Sequence, residues 1–148
     1  MKNLFVTLSL VLTTGITPLL ANETHSDPRT EAVFLKQFSG AENVKWTKLE
    51  EGFEKVAFTL GGIRVEAYFN NEGELAGSVR NLFFNQLPLT VMQAVNNKFE
   101  GSVVVEVREI NNADGTTYRV VLEQKEKKYG LKLNSRGEML EVSKMKKK

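Results

Sequence analysis

The sequence has no cysteine, a single histidine, a single tryptophan and three prolines in 148 residues. Each shortage closes off some chemistry. Without cysteine the chain forms no disulfide, carries no thiolate nucleophile, offers no cysteine ligand to zinc and cannot be lipid-anchored through that residue. The only histidine is His25, in a polar stretch near the start, so Ser–His and Cys–His nucleophilic arrangements are excluded. Charge of one sign is lacking too: 20 basic residues face 18 acidic ones, a net +2. The one concentrated charge is the run Lys144-Met145-Lys146-Lys147-Lys148. Without aromatic neighbours it makes a poor nucleic-acid site and reads as a solvated tail over 144–148.

Long apolar runs are confined to the beginning. Met1-Lys2-Asn3 supplies one positive charge, Leu4 to Leu20 is uncharged, and Leu19-Leu20-Ala21 precedes polar Asn22-Glu23-Thr24. This pattern predicts a secretory signal peptide over 1–21, cleaved after Ala21. The apolar core is short and holds Pro18, whereas a span needs about 20 predominantly apolar residues. The expectation is therefore a periplasmic or secreted protein with no stable membrane insertion once the signal is gone. Residues 22–27 read as a flexible lead, and the rest is long enough for one domain with its own core.

What the chain does have is self-similarity. Asn70-Asn71-Glu72-Gly73-Glu74-Leu75 returns as Asn134-Ser135-Arg136-Gly137-Glu138-Met139, and Phe38-Ser39-Gly40 returns as Phe99-Glu100-Gly101. Internal repetition of this kind marks a duplicated supersecondary unit. Asp27-Pro28 is a helix start, with Val33, Phe34 and Phe38 on one face and Gly40 as the stop. Period-two alternation then predicts strands over Val44–Leu49, Phe53–Leu60, Ile63–Phe69 and Leu75–Arg80, with Gly61-Gly62 as a tight hairpin. The second copy repeats the order: a helix from Pro88, then strands over Val103–Ile110, Tyr118–Glu123, Tyr129–Leu133 and Met139–Val142. Asn111 to Gly115 and Lys125 to Lys128 read as its turns. The predicted fold is α+β, a tandem αββββ duplication (28–81 and 87–143 in one domain, 28–143). Its helices lie on one face of antiparallel sheet and the other face is wet. Eight strands can form one continuous sheet or two packed side by side.

Candidate chemistry is sparse. The carboxylates Glu50, Glu51, Glu54, Glu66, Glu72, Glu74, Glu106, Glu109 and Glu123 alternate with Lys and Arg, which predicts ion pairs on the wet face rather than a catalytic pair. Asn111-Asn112-Ala113-Asp114-Gly115 lacks the ligand spacing of a calcium loop. No metal and no cofactor is expected. Trp46, Phe34, Phe38, Phe58, Phe69 and Phe99 suit a helix–sheet core. Phe53 and Tyr68 fall on the polar register with Arg64, Glu66, Arg119 and Lys132, and the connector carries Phe83 and Phe84. Phe53, Arg64, Tyr68, Phe83, Phe84 and Arg119 are thus the candidate contacts for a partner, because aromatic and Arg side chains dominate protein interfaces.

The series Phe38-x-Gly40-Ala41-x-x-Val44-x-Trp46, Phe53-Glu54-x-Val56-Ala57-Phe58, Ala67-Tyr68-Phe69 and Asn71-Glu72-Gly73-Glu74, then Leu87-Pro88 and Phe99-x-Gly101, resembles the PepSY-like, beta-lactamase-inhibitor-like family of small secreted bacterial proteins. The resemblance runs from about Glu31 to Val142. It implies a fold similar to beta-lactamase inhibitory protein, with an open sheet face that grips another protein. That protein resembles a disulfide-stapled inhibitor, and this chain departs from it in having no cysteine. The combined expectation is a non-enzymatic binding module for a protein or peptide. One alternative is a small-ligand or envelope-stress accessory domain, which requires an unfilled cavity behind Trp46. A carboxylate hydrolase requires a deep pocket with two converging carboxylates.

Overall fold

A computed structural model describes residues 26–146. The signal segment, His25 and the last two lysines lie outside the described residues. Two ten-residue helices and eight strands follow the chain as α1 (Pro28–Gln37), β1 (Glu42–Lys48), β2 (Glu54–Leu60), β3 (Ile63–Phe69), β4 (Leu75–Asn81), α2 (Leu89–Lys98), β5 (Val103–Asn112), β6 (Gly115–Gln124), β7 (Lys127–Asn134) and β8 (Met139–Met145). Short 3₁₀ turns occupy Glu50–Gly52 and Phe84–Gln86. The strands form one antiparallel sheet in the order β1 to β8, each pairing with its neighbour in sequence. One continuous sheet is therefore the outcome, not two.

The two halves correspond in detail. Asp27 caps α1 by accepting the Arg29 N–H at 2.8 Å, with Pro28 at the first helical position, where its missing N–H costs nothing. In the second half Pro88 is itself the cap residue, one place earlier relative to the helix. Phe38 and Phe99 each close their helix by donating to the carbonyl four residues back, Phe34 and Val95. Asn70 Oδ1 accepts the N–H groups of Glu72 and Glu74, and Asn134 Oδ1 accepts those of Arg136 and Glu138. Each turn then rests on the first turn of its helix. A Cβ on Gly73 would meet Thr30 Oγ1 at 3.1 Å, and one on Gly137 would meet the Thr90 carbonyl oxygen at 2.5 Å.

Both helices cover the same face of the sheet, over two separate cores. The first joins Phe34 to Val56, Phe58, Val65, Ala67 and Phe69. Phe34 meets Phe58 and Trp46 edge-on at 5.1 and 5.4 Å between ring centres, and Trp46 also packs on Phe69. Among the described residues Trp46 lines none of the cavities reported below. The second core is built on Val91, Val95, Val107, Val120, Leu122, Leu131 and Leu133.

Several boundaries differ from expectation for identifiable reasons. β5 and β6 continue to the Asn112–Gly115 pair, so the second copy's extra residues lengthen a hairpin rather than a loop. Only Lys125 and Glu126 turn between β6 and β7, both at positive φ. Lys144 and Met145 pair with Tyr129 and Lys128, so β8 runs into the basic run. Val44 is exposed because a bulge around Asn43 re-aims the start of β1. Two carboxylates leave the wet face: Glu54 and Glu109 lie on the helix-side register and are buried.

Candidate binding face

The uncovered face of the sheet carries the candidate site. Register alone places a transverse row of side chains there. Arg108 of β5 is paired with Asn81 on one side and Arg119 on the other. Arg119 is paired with Lys132, and Lys132 with Glu141. Arg64 precedes Val65, which pairs with Arg80, so Arg64 lines up beside Asn81. Three cations, Arg108, Arg119 and Lys132, thus stand directly opposite one another on adjacent strands, and like charges in that position destabilise a sheet.

Local pairing relieves only part of this. Arg64 Nη2 lies 3.5 Å from Glu66, and Arg108 is paired with Glu106. Among the described residues Arg119 and Lys132 form no ion pair. They flank a groove of about 280 Å³ that also includes Ile110, Gly130, Glu141 and Ser143. Tyr68 joins the same face and donates its hydroxyl to Glu66 at 3.1 Å. Partial burial, then the hydrogen bond and charge of Glu66, push its phenol above the ordinary tyrosine value.

The connector extends this face. Asn81 lines both a small recess with Arg64 and Arg108 and a second one with Phe83, Phe84, Val105 and Glu106. Phe83 is 76% exposed and Val105 is 52% exposed, an apolar step at the end of the basic row. Phe84 packs against the second core instead. Of the six candidate contacts, Arg64, Tyr68 and Arg119 share the open face, Phe83 adjoins it, and Phe84 is partly structural. Phe53 lies elsewhere, lining a cavity beside the start of α1 with Asp27 and Thr30.

Sequence reasoning missed the polar cluster between the two cores. Arg80 grips Glu109 through two hydrogen bonds, Nε at 2.8 Å and Nη2 at 3.1 Å. Asn111 donates to Glu109 at 3.0 Å and accepts from the Thr116 hydroxyl at 2.6 Å. Burial works to raise the Glu109 carboxyl, but the hydrogen bonds of Arg80 and Asn111 prevail and hold it below the usual range. The signal was available in the register, since Arg80 and Glu109 fall opposite each other only once β4 is paired with β5. The two buried carboxylates do not converge: Glu54 on β2 and Glu109 on β5 are three strand spacings apart, roughly 14 Å. Catalytic carboxyl pairs stand about 5–9.5 Å apart. Among the described residues no group of three His, Asp or Glu could hold a metal, and no helix is long and apolar enough to cross a membrane.

The architecture is that of a known class of solved structures. A BLIP-like protein from Bacteroides fragilis superposes with a TM-score of 0.72 at 21% identity, over 81% of this chain and 86% of that one. A DUF2874 family protein from Bacteroides ovatus gives 0.72 at 21% identity, over 81% and 89%. One from Bacteroides eggerthii, provisionally named a periplasmic protein, gives 0.73 at 15% identity, over 81% and 89%. These likenesses establish the eight-stranded, two-helix α+β fold and agree with the beta-lactamase-inhibitor-like part of the resemblance. None of these names is PepSY-like. No family model and no curated protein matches the sequence.

Proposed function

We propose that this protein is an exported, non-enzymatic binding module that holds an acidic segment of a protein or peptide partner on its open sheet face. The observation that carries this reading is the row Arg108–Arg119–Lys132. A sheet under selection for stability alone alternates charge sign across strands, because like charges opposite each other cost stability. An acidic partner converts that cost into affinity and into faster, salt-sensitive association. Exposed Phe83 and half-buried Tyr68 supply the aromatic anchors such interfaces use. Export to the periplasm or beyond rests on the apolar leader.

A fluorescent Glu-rich peptide tests the reading. It is expected to bind wild type with an affinity that falls as salt rises. The double substitution Arg119→Glu, Lys132→Glu should weaken binding by at least about tenfold, the scale of one lost charge-assisted contact. Equal binding by both proteins, or none by wild type at low salt, overturns it. Inhibition of a beta-lactamase is a separate property that fold likeness does not confer. A nitrocefin hydrolysis assay decides it directly.

A further inference from the structure

The largest cavity described in the molecule is not on the open face. It measures about 420 Å³ and lies beside the start of α1, where Asp27, Thr30, Lys48, Phe53, Glu54 and Asn71 contribute to its wall. Glu54 is only 8% exposed. Its Oε1 receives the Asp27 N–H at a long 3.4 Å, and its Oε2 is buried without any hydrogen-bond partner among the described residues. A buried acceptor left this way is costly, and a carboxylate oxygen more so. Lys48 stands directly across the strand pair and lines the same cavity, yet makes no ion pair with Glu54.

The second half of the chain serves as an internal control. Glu54 pairs with Phe69 just as Tyr118 pairs with Leu133, so Tyr118 is the counterpart of Glu54. At the helix start the cap residue is Asp27 in the first half and Pro88 in the second, with Leu87 just before it. Leu87 and Tyr118 are 4% and 6% exposed members of the second core. Where the second copy closes with apolar packing, the first keeps two carboxylates at an open cavity. Gly52, at positive φ, also lines it and lies close enough to Asn71 that a Cβ would stand 3.1 Å away.

We infer that this cavity binds a primary alkylammonium group, as a lysine side chain or a free amine. Glu54 supplies the carboxylate whose unmet acceptor an ammonium hydrogen would satisfy, and Asp27, which also holds Arg29 at 3.5 Å, adds a second negative charge at the rim. Phe53 and Leu49 offer apolar surface to the methylene stem. Two carboxylates against the single cation Lys48 at its wall favour a cation over an anion. A guanidinium fork is a poorer fit, because its paired N–H groups want both carboxylate oxygens and Oε1 is engaged. This site is independent of the open-face proposal, and either can fail without the other.

Amide NMR titration of the ¹⁵N-labelled protein tests it, using n-butylamine, Nα-acetyl-lysine-N-methylamide and, as the uncharged control, Nα-acetyl-norleucine-N-methylamide. Both amines should shift the amides of Asp27, Thr30, Phe53, Glu54 and Asn71, and the norleucine compound should not. Tighter binding of the lysine amide assigns the site to a lysine in a chain, and tighter binding of butylamine to a free amine. Glu54→Gln should weaken both by at least about tenfold, as for loss of a hydrogen bond to a charged group. Lys48→Ala should tighten both by removing a competing cation. Equal response to lysine and norleucine compounds, a comparison needing no variant, overturns the inference. So does unchanged binding in Glu54→Gln. Binding that emerges only in Lys48→Ala assigns the cavity to the chain's own Lys48 and overturns an external ligand.

Discussion

Gly137 is the residue with least room for change. Its backbone sits at φ +83°, and an added methyl would stand 2.5 Å from the Thr90 carbonyl oxygen, an atom fixed in α2. Gly137→Ala is expected to cost about 3 kcal/mol, left-handed strain and steric conflict together. Gly73→Ala meets the Thr30 hydroxyl at 3.1 Å and the Thr30 backbone nitrogen only at an ordinary 3.4 Å, so about 1–2 kcal/mol is expected from strain. Urea unfolding of both variants checks the order, and a larger loss at Gly73 would refute it. Glu109 gives a pH prediction. Its folded pKa lies below the ordinary value of 4.5, so its contribution is fully present above that pH and is lost as pH falls through the folded value. Glu109→Gln should therefore be less stable than wild type at neutral pH and show a shallower decline in acid. Arg80→Ala, which leaves the carboxylate unpaired, should cost about 2 kcal/mol at pH 7. That is less than for a fully buried pair because the Arg80 side chain is 46% exposed. Equal acid limbs in wild type and Glu109→Gln would remove this account.

Among elements, the paired hairpins β2–β3 and β6–β7 differ most in how they solve one geometry. Both are two-residue turns with positive φ at each central position: Gly61 and Gly62 at +57° and +79°, Lys125 and Glu126 at +49° and +61°. Glycine tolerates this and the second pair does not. Replacing Lys125-Glu126 with Asn-Gly should raise stability by about 1–2 kcal/mol and the melting temperature by about 4 °C or more. A calorimetric scan decides it, and no rise would mean the strained turn is compensated elsewhere. The Gly-Gly turn was legible because its residue types announce the conformation. The Lys-Glu turn was legible only as charge, since nothing in those residues demands positive φ. The same contrast holds for the sites. Strand parity, which a one-face-buried sheet enforces, placed Arg64, Tyr68 and Arg119 on the open face. Glu54 and Glu109 were misplaced because residue type argues for water and only strand pairing shows which neighbours they acquire. Phe53 obeyed parity in sequence yet lies at the entry to β2, where the 3₁₀ turn takes over.

At the scale of the molecule, one sheet joins two cores of unequal size, ten buried residues in the second against six in the first. Native-state hydrogen exchange should find the slowest amides in β6 and β7 and earlier opening of α1 with β1. Slowest exchange in β2 and β3 would contradict the unequal cores. Strand order equal to chain order has a kinetic consequence as well. Each strand finds its partner across a turn or a single short helix, so the entropy of loop closure is met in small steps. A chain emerging from a pore N-terminus first can add one strand at a time to what has already formed. No strand waits for the far end to arrive, and the sheet's growing edge is always the residue most recently released.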